Sequence, residues 1–375
     1  LEERYDRGLA WCLESCRVNA NRGSSAWQSR WLHPIRGWSH AYPETTGYLI
    51  PSLYDALTWR TARATQIRTL IAGLVDWLLS LQMDNGAFPG GHVADDGRWY
   101  LTTLDYLRRS PGPPRPSIFN SAQILRGLVR HVAATGDPRS LAAVRRCCGY
   151  LAGMVGPDGR WGKDAYAGGT SPAYFAYAAA PIIAAATLVE DEAARRAAVR
   201  TLDRVLAQTD ATTAFPAGMG FQARSFAHTH TVAYTLQGLL EAGDHLGRAG
   251  DQFTGQALRS LDRILLIAER RKRLPGGFDH GWRGEWNYAC LTGDCQMALC
   301  FLTAHERTVD ARYLNAACRL YSGVARSQRL DGAIPGSRPI WGRYMRFRRP
   351  NWAVKYFLDL SLGLHARLNA EWNAC

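Results

Sequence analysis

The sequence predicts an all-α chain folded as an (α/α)6 toroid, six helical hairpins arranged as an inner and an outer ring. Three observations predict it. Apolar residues recur at helical spacing through twelve segments, and no stretch alternates as a strand does. Between segments, short turns alternate with long Gly/Pro/aromatic loops. A short phrase recurs in those loops at a period of roughly 50–75 residues, the mark of a repeat architecture.

The segments run approximately over 2–17, 45–59, 63–82, 119–135, 138–154, 172–189, 191–208, 229–246, 251–269, 291–305, 310–328 and 351–368. Short turns such as Ala134-Thr135-Gly136-Asp137-Pro138 join one kind of pair. The long loops, 18–44, 83–118, 155–171, 209–228, 270–290 and 329–350, join the other. If the last helix pairs with the first, six hairpins close in a single domain, 1–375, with every long loop on one face. The helices that follow the long loops then form the inner ring. Their N-terminal ends point toward a shared funnel.

The recurring phrase reads Gln82-Met83-Asp84-Asn85-Gly86-Ala87-Phe88-Pro89-Gly90 and again Gln328-Arg329-Leu330-Asp331-Gly332-Ala333-Ile334-Pro335-Gly336. Degenerate copies are Pro157-Asp158-Gly159-Arg160-Trp161-Gly162, Leu274-Pro275-Gly276-Gly277-Phe278 and Ala214-Phe215-Pro216-Ala217-Gly218. Gly permits positive φ where the chain leaves a helix, and Pro stops the helix resuming. The Phe or Ile is an apolar plug, and the Gln is placed to bond free carbonyls at the preceding helix end. The phrase reads as bracing, with the chemistry beside it.

No run of about 18 uninterrupted apolar residues suggests a membrane span, and no signal peptide is visible at Leu1-Glu2-Glu3-Arg4, although without an initiator Met a trimmed leader stays open. The nine Cys, two of them adjacent (Cys147 and Cys148) and most within apolar helical patterns, read as reduced thiols of a cytoplasmic protein. Net charge is +13. Only Lys163, Lys272 and Lys355 are Lys, so Arg makes up 42 of the 45 basic residues. The surplus favours an anionic partner. Its densest runs are Arg270-Arg271-Lys272-Arg273 and the stretch from Arg343 to Arg349, which also suit a solvated loop face. No nucleic-acid motif is present, and nucleic acid is not an expected partner.

The phrase Gln82/Gly86/Phe88, with Gln328/Gly332/Ile334, resembles the repeat of squalene cyclases and protein prenyltransferase β-subunits, both α/α toroids. Tyr42-Pro43-Glu44-Thr45-Thr46-Gly47-Tyr48-Leu49-Ile50-Pro51 and Cys290-Leu291-Thr292-Gly293-Asp294-Cys295-Gln296 resemble phrases of toroid proteins from bacterial polysaccharide-biosynthesis clusters. That resemblance covers most of the chain and implies a place in polysaccharide assembly. The terpenoid cyclase acid D-x-D-D has only Asp95-Asp96 here. Tyr288 stands where a prenyltransferase zinc site places Asp, ahead of Cys290. The Cys followed by Cys-His of lanthionine cyclases is absent.

The inner-helix starts would bring together Tyr42, Glu44 and Tyr48; Asn120 and Gln123; Tyr174 and Tyr177; and His228, His230 and Tyr234. Trp286, Tyr288, Thr292, Asp294 and Gln296 join them, as do Trp352, Lys355 and Tyr356, with Arg343, Tyr344 and Arg346 from the last long loop. Such a lining suits a sugar chain: aromatic faces stack on pyranose rings, while amides and acids bond hydroxyls.

The sharpest constellation is Ser225-Phe226-Ala227-His228-Thr229-His230-Thr231, with Tyr234 one turn beyond His230. His is a natural general base, and Tyr an acid when cations stabilise its phenolate. The alternative reading has one His capping the helix and the other packed in the wall. A metal site would need a third ligand, which is not evident. Thr45 or Thr46 can cap the second segment with Glu44 at its positive end, and Pro51 hints that regular helix begins only near Ile50. Glu44, Asp279, Glu285 and Asp294 supply carboxylates for paired acid/base hydrolysis. Lys355, one turn after Trp352, is either substrate-facing or a surface ammonium.

The expected function is that of a carbohydrate-active enzyme of bacterial polysaccharide biosynthesis or modification, without a cofactor. Its partner is an acidic polysaccharide or a lipid-linked glycan. Uronate C5 epimerisation or β-elimination needs a base, an acid and a cation that neutralises the carboxylate. His228 or His230, Tyr234, Tyr48 and Arg343 or Arg346 supply these types. The alternatives are a glycoside hydrolase using Glu44 and Asp294, a non-catalytic glycan-binding or assembly protein, and an isoprenoid-handling toroid.

Overall fold

The computed structural model describes residues 1–29, 31, 37–162, 172–221 and 226–374, without the side chains of 103 and 369–374. Ser225, Lys163 and Cys375 lie outside the described residues. The helices are α1 (Glu2–Arg17), α2 (Pro43–Trp59), α3 (Ala64–Ser80), α4 (Thr103–Leu107), α5 (Ile118–Thr135), α6 (Pro138–Gly153) and α7 (Ala176–Val189). They continue with α8 (Glu192–Ala207), α9 (Thr229–Leu246), α10 (Asp251–Arg271), α11 (Leu291–Thr308), α12 (Ala311–Ala325) and α13 (Asn351–Ala374). All twelve expected segments are helical. The addition is α4, one short turn closed by a reciprocal cap between Thr102 and Asp105. Among the described residues strands occur only as two-residue pairs in the long loops, too short for any alternation to show in sequence.

The chain divides into two compact units: one of Leu1–Cys12, Pro172–Tyr177 and Val205–Cys375, the other of Leu13–Ser171 and Ala178–Arg204. In the first unit α9 and α11 are buried nearly all round their first three turns, from Thr229 to Leu240 and from Leu291 to Leu302. α12 buries only one stripe, Tyr313, Leu314, Ala316, Ala317, Leu320 and Val324, at the spacing of a single helical face. Inner and outer helices are distinguished by that contrast. α13 meets α1 there as well: a side chain at Gly8 would press on Leu358 and Val354, and the Cys12 thiol donates to Asn351. The last helix therefore pairs with the first.

The second unit repeats the scheme with α2 against α5 and α3 against α6. Here the expectation about Pro51 is corrected, because α2 begins at Pro43 and runs through it. Pro51 removes the N–H that the Gly47 carbonyl would accept, and that carbonyl faces Gly127 of α5 so closely that no side chain fits there. The caps are corrected too. Pro43 takes the first helical position, the N-cap is Tyr42, and the Thr45 and Thr46 hydroxyls donate back to the Tyr42 carbonyl.

The recurring phrase stitches one hairpin to the next. Gln82 Nε2 donates to Ala143 O of α6 at 2.9 Å, and Gln328 Nε2 donates to Arg4 O of α1 at 2.9 Å. The expected bond to the preceding helix end is thus replaced by one to a neighbouring outer helix. Gly86 and Gly332 have φ of +87° and +88°, and a Cβ on them would lie 2.5 Å and 2.0 Å from the carbonyl oxygens of Arg146 and Arg7. Only Gly meets both demands. Phe88 and Ile334 beneath these turns are fully buried.

Candidate functional site

His228 and His230 open α9 in the first unit. Ala227–His228 pairs antiparallel with Gly277–Phe278, which sets His228 at the N-cap position. Its side chain does not cap the helix; instead Nδ1 lies 2.7 Å from Tyr288 Oη. Tyr288 holds its only proton on the Gly276 carbonyl at 2.9 Å, and burial pushes its phenol well above the usual range, so it stays neutral. With that O–H on the carbonyl, the phenol oxygen accepts from His228 Nδ1, the arrangement that puts the proton on Nδ1 and leaves the lone pair on Nε2. Burial, reinforced by the charge of Arg343, brings His228 down to about 4. Glu285 acts in the opposite direction, and Arg343 grips Glu285 at 2.9 Å.

His230 is 3% exposed, and its Nδ1 has no hydrogen-bond partner among the described residues. Burial takes it down to about 3, opposed by the Gln296 side chain. Gln296 in turn donates to Gln237 at 2.7 Å. Tyr234 sits with its ring 4.1 Å from His230 and stacks on Tyr177 at 4.6 Å; Tyr177 accepts from Tyr356. Tyr344 lies against both imidazoles, 5.2 Å from His228 and 5.3 Å from His230, and its oxygen accepts from Trp352 Nε1 at 2.7 Å. At Gly293 the start of α11 comes so close to His230 that a Cβ would be 2.5 Å from its backbone N. That approach sets Asp294 one residue beyond the contact. Asp294 is buried with Oδ1 unpartnered, and desolvation raises it to about 7 despite the charges of Arg338 and Arg273. At neutral pH the unit thus offers two uncharged imidazoles and a carboxyl near its midpoint.

The remaining expected residues of this unit are placed differently from one another. Lys355 is neither a surface ammonium nor free in a funnel: it is buried, bonded to Asp359 at 2.7 Å, and lies over the Tyr356 ring. Arg346 is exposed and donates to the Trp341 carbonyl in its own loop. Trp286 carries Arg271 and Arg273 over its ring.

The second unit has its own cluster. Glu44 keeps part of its surface accessible, yet desolvation raises it to about 8. Tyr48 is fully buried. Asn120 Nδ2 and Gln123 Nε2 on α5 are buried donors without partners among the described residues. Tyr42 packs edge-on to His92 at 4.9 Å; Tyr106 meets His92 at 5.6 Å and His40 at 5.0 Å. Sequence reasoning missed His40, His92 and Tyr106, which lie in loops or in α4 outside the recurring phrase. The pairing of His92–Val93 with Trp99–Tyr100 gathers them. Among the described residues no three His, Cys, Asp or Glu are grouped to hold a metal ion. Among the described residues eight cysteines are free thiols, seven of them buried. No helix among the described residues is long and apolar enough to cross a membrane.

No protein-family profile matches the chain. No curated protein matches it in sequence. Solved structures do match in fold. Cellobiose 2-epimerase from Bacillus thermoamylovorans B4167 superposes with a TM-score of 0.71 at 11% identity, over 96% of this chain and 100% of that one. An unsaturated glucuronyl hydrolase specific for heparin gives 0.64 at 11% identity, over 98% of each chain. A polysaccharide lyase gives 0.61 at 10% identity, over 95% of this chain and 98% of that one. The fold of this chain is accordingly the (α/α)6 toroid.

Proposed function

We propose that the chain is a carbohydrate-active enzyme that moves a proton at carbon on an acidic polysaccharide or its lipid-linked precursor, by uronate C5 epimerisation or β-elimination. The observation that carries this reading is the hydrogen-bonded chain from His228 Nδ1 through Tyr288 Oη to the Gly276 carbonyl. In it the Nδ1–H is held by Tyr288, so Nε2 presents a lone pair, and the low pKa keeps that lone pair free at neutral pH. The neighbours named for epimerisation, lyase and glucuronyl chemistry lend support at the level of fold.

In this reading His228 Nε2 takes the C5 proton and the electron pair moves toward the uronate carboxylate. Arg343, paired with Glu285 at 2.9 Å, supplies positive charge there. Tyr344 is the best placed acid: it touches both imidazoles, and the Trp352 N–H on its oxygen stabilises the phenolate left behind. In β-elimination the pair forms the C4–C5 double bond, the C4–O4 bond breaks, and Tyr344 protonates O4. In epimerisation a proton returns to C5 from the opposite face, supplied by the Tyr234 phenol that lies against His230. A second reading, hydrolysis, is favoured by Asp294, a buried carboxyl raised to about 7 and suited to a general acid.

The test is NMR of 1,4-linked uronans incubated with the protein in D₂O. Deuterium at C5 is the expected result, and unsaturation separates elimination from epimerisation. New reducing ends without exchange would replace this reading with hydrolysis.

A further inference from the structure

A strongly basic surface lies in the first unit, away from the imidazoles. Between residues 263 and 283 the chain carries six cations, Arg263, Arg270, Arg271, Lys272, Arg273 and Arg283, against two carboxylates, Glu269 and Asp279. Asp279 is held by Arg283 at 2.7 Å, and Glu269 acts on Arg312. No carboxylate among the described residues pairs with Arg270 or Arg271, and all of Arg270-Arg271-Lys272-Arg273 is exposed. This surface is not a featureless solvated face. Two adjoining clefts of about 490 and 350 Å³ run across it, both lined by Ile267, Arg270 and Trp282. Trp282 is fixed as a floor by its Nε1 bond to Thr213 O at 2.8 Å and by edge contacts from Phe215 and Phe278. Leu266, 40% exposed, adds apolar surface at one end, and Trp286 lies at the other.

We infer that this surface is an extended track for an acidic polysaccharide, leading along the 279–288 loop to the imidazole site. The inference rests on the function proposed above and adds that the substrate is a polymer longer than the site itself holds. Three features carry it. Indole and aliphatic surface beside unpaired guanidinium groups is the chemistry that sugar rings bearing carboxylates require. The loop is continuous with the site: Gly284 and Trp286 line the cleft, while Glu285 between them turns inward to Arg343. Positive charge also reaches inward from the track, since Arg273 acts on Asp294. The clefts beside these cations are lined by indoles, Trp282 and Trp286, which a sugar ring can stack on.

The experiment is calorimetric binding of a uronate trimer and of a polyuronate of the same linkage to the intact chain and to R270A/R271A, at low and high salt. Neither Arg belongs to the imidazole site. Loss of two exposed cations should weaken polymer binding roughly tenfold, leave trimer binding and turnover unchanged, and flatten the salt dependence. Unchanged polymer binding in the double variant, equal loss for trimer and polymer, or tighter binding of duplex DNA than of polyuronate would each overturn the track. Because binding is read without turnover, failure of the reaction proposed above is distinguishable: polymer binding would still depend on Arg270 and Arg271 while no deuterium entered C5.

Discussion

The two units use the same construction to different chemical ends. Each sets buried polar atoms without hydrogen-bond partners among the described residues at the starts of inner helices: His230 Nδ1 and Asp294 Oδ1 in one, Asn120 Nδ2 and Gln123 Nε2 in the other. Each surrounds them with aromatic rings. The first unit adds imidazoles whose pKa values burial drives down, with a fixed tautomer beside a guanidinium–carboxylate pair. The second adds Glu44, a carboxyl that burial drives up to about 8, and its His92 is packed among Tyr42, Tyr106 and Trp27. In the function proposed above, the imidazole cluster of the first unit abstracts the proton, and Glu44, Asn120 and Gln123 of the second recognise hydroxyls.

The largest effect that tests this division is on turnover. His228→Ala removes the proposed base and should lower kcat by about 10²–10⁴-fold. Glu44→Gln, which keeps a neutral donor in place, should change kcat little. Steady-state rates of C5 exchange measure both. A full loss in Glu44→Gln with activity kept in His228→Ala would reverse the assignment.

The recurring phrase is where the two units should agree. Gly86→Ala and Gly332→Ala each force a side chain into a carbonyl of the next outer helix at positive φ, and each should cost roughly 3 kcal/mol or more. Gly97 has φ of +83° with nothing within 4 Å of an added Cβ. Its Ala variant should cost only the conformational part, about 1–2 kcal/mol. Denaturant midpoints of the three variants would separate strain from clash. A large loss at Gly86 with none at Gly332 would mean that the stitch matters in one unit alone.

These Gly also mark how far sequence reasoning reached. The helices were legible because inner and outer segments bury different fractions of their surface, and the phrase was legible because it repeats. The partner of Gln82 was not: it bonds Ala143, sixty-one residues away, and only packing brings α6 to it. His228 and Tyr288 were both legible as polar residues at loop ends. Their hydrogen bond was not, since it depends on the pairing of Ala227–His228 with Gly277–Phe278, two residues long and silent in sequence. Burial of Lys355 was hidden for a similar reason. Its own helix supplies Asp359 at i+4, but the surroundings that desolvate the pair come from elsewhere in the fold. His40 and His92 gave no signal, because no spacing rule relates two loop histidines that meet through Tyr106.

A smaller effect comes from the tautomer lock. Tyr288→Phe leaves the His228 ring its space but removes the acceptor from Nδ1–H. A single lost hydrogen bond of about 0.5–1.5 kcal/mol corresponds to roughly a tenfold drop or less in rate. A hydrogen bond to the Gly276 backbone also favours the protonated His228, so the lock is weakened and not abolished. The telling readout is the pH profile. The acid limb, set by His228 near pH 4 in the parent, should move when the acceptor is lost. A rate drop with an unmoved limb would make Tyr288 a packing residue only.

The smallest effect is on stability against pH, and here the buried imidazoles and the buried carboxyls should differ in sign. His228 and His230 have folded values of about 4 and about 3, below the ordinary 6.5. Between those limits the unfolded chain binds more protons than the folded one, so stability falls as pH drops from about 6.5 toward 4. Glu44 is the reverse: its folded value of about 8 exceeds the ordinary 4.5, so its contribution falls as pH rises from 4.5 through 8. Asp294, raised to about 7, adds to that alkaline loss from within the first unit. Glu44→Gln should therefore flatten part of the decline in Tm between pH 5 and 8, by a few degrees, while His230→Gln should flatten the decline below pH 6.5 and leave the alkaline side alone. Calorimetric scans across pH would show whether the slopes separate this way. If Glu44→Gln instead flattened the acid side, Glu44 would be ionised in the folded chain, and the contrast between the buried imidazoles and the buried carboxyls would fail at its second half.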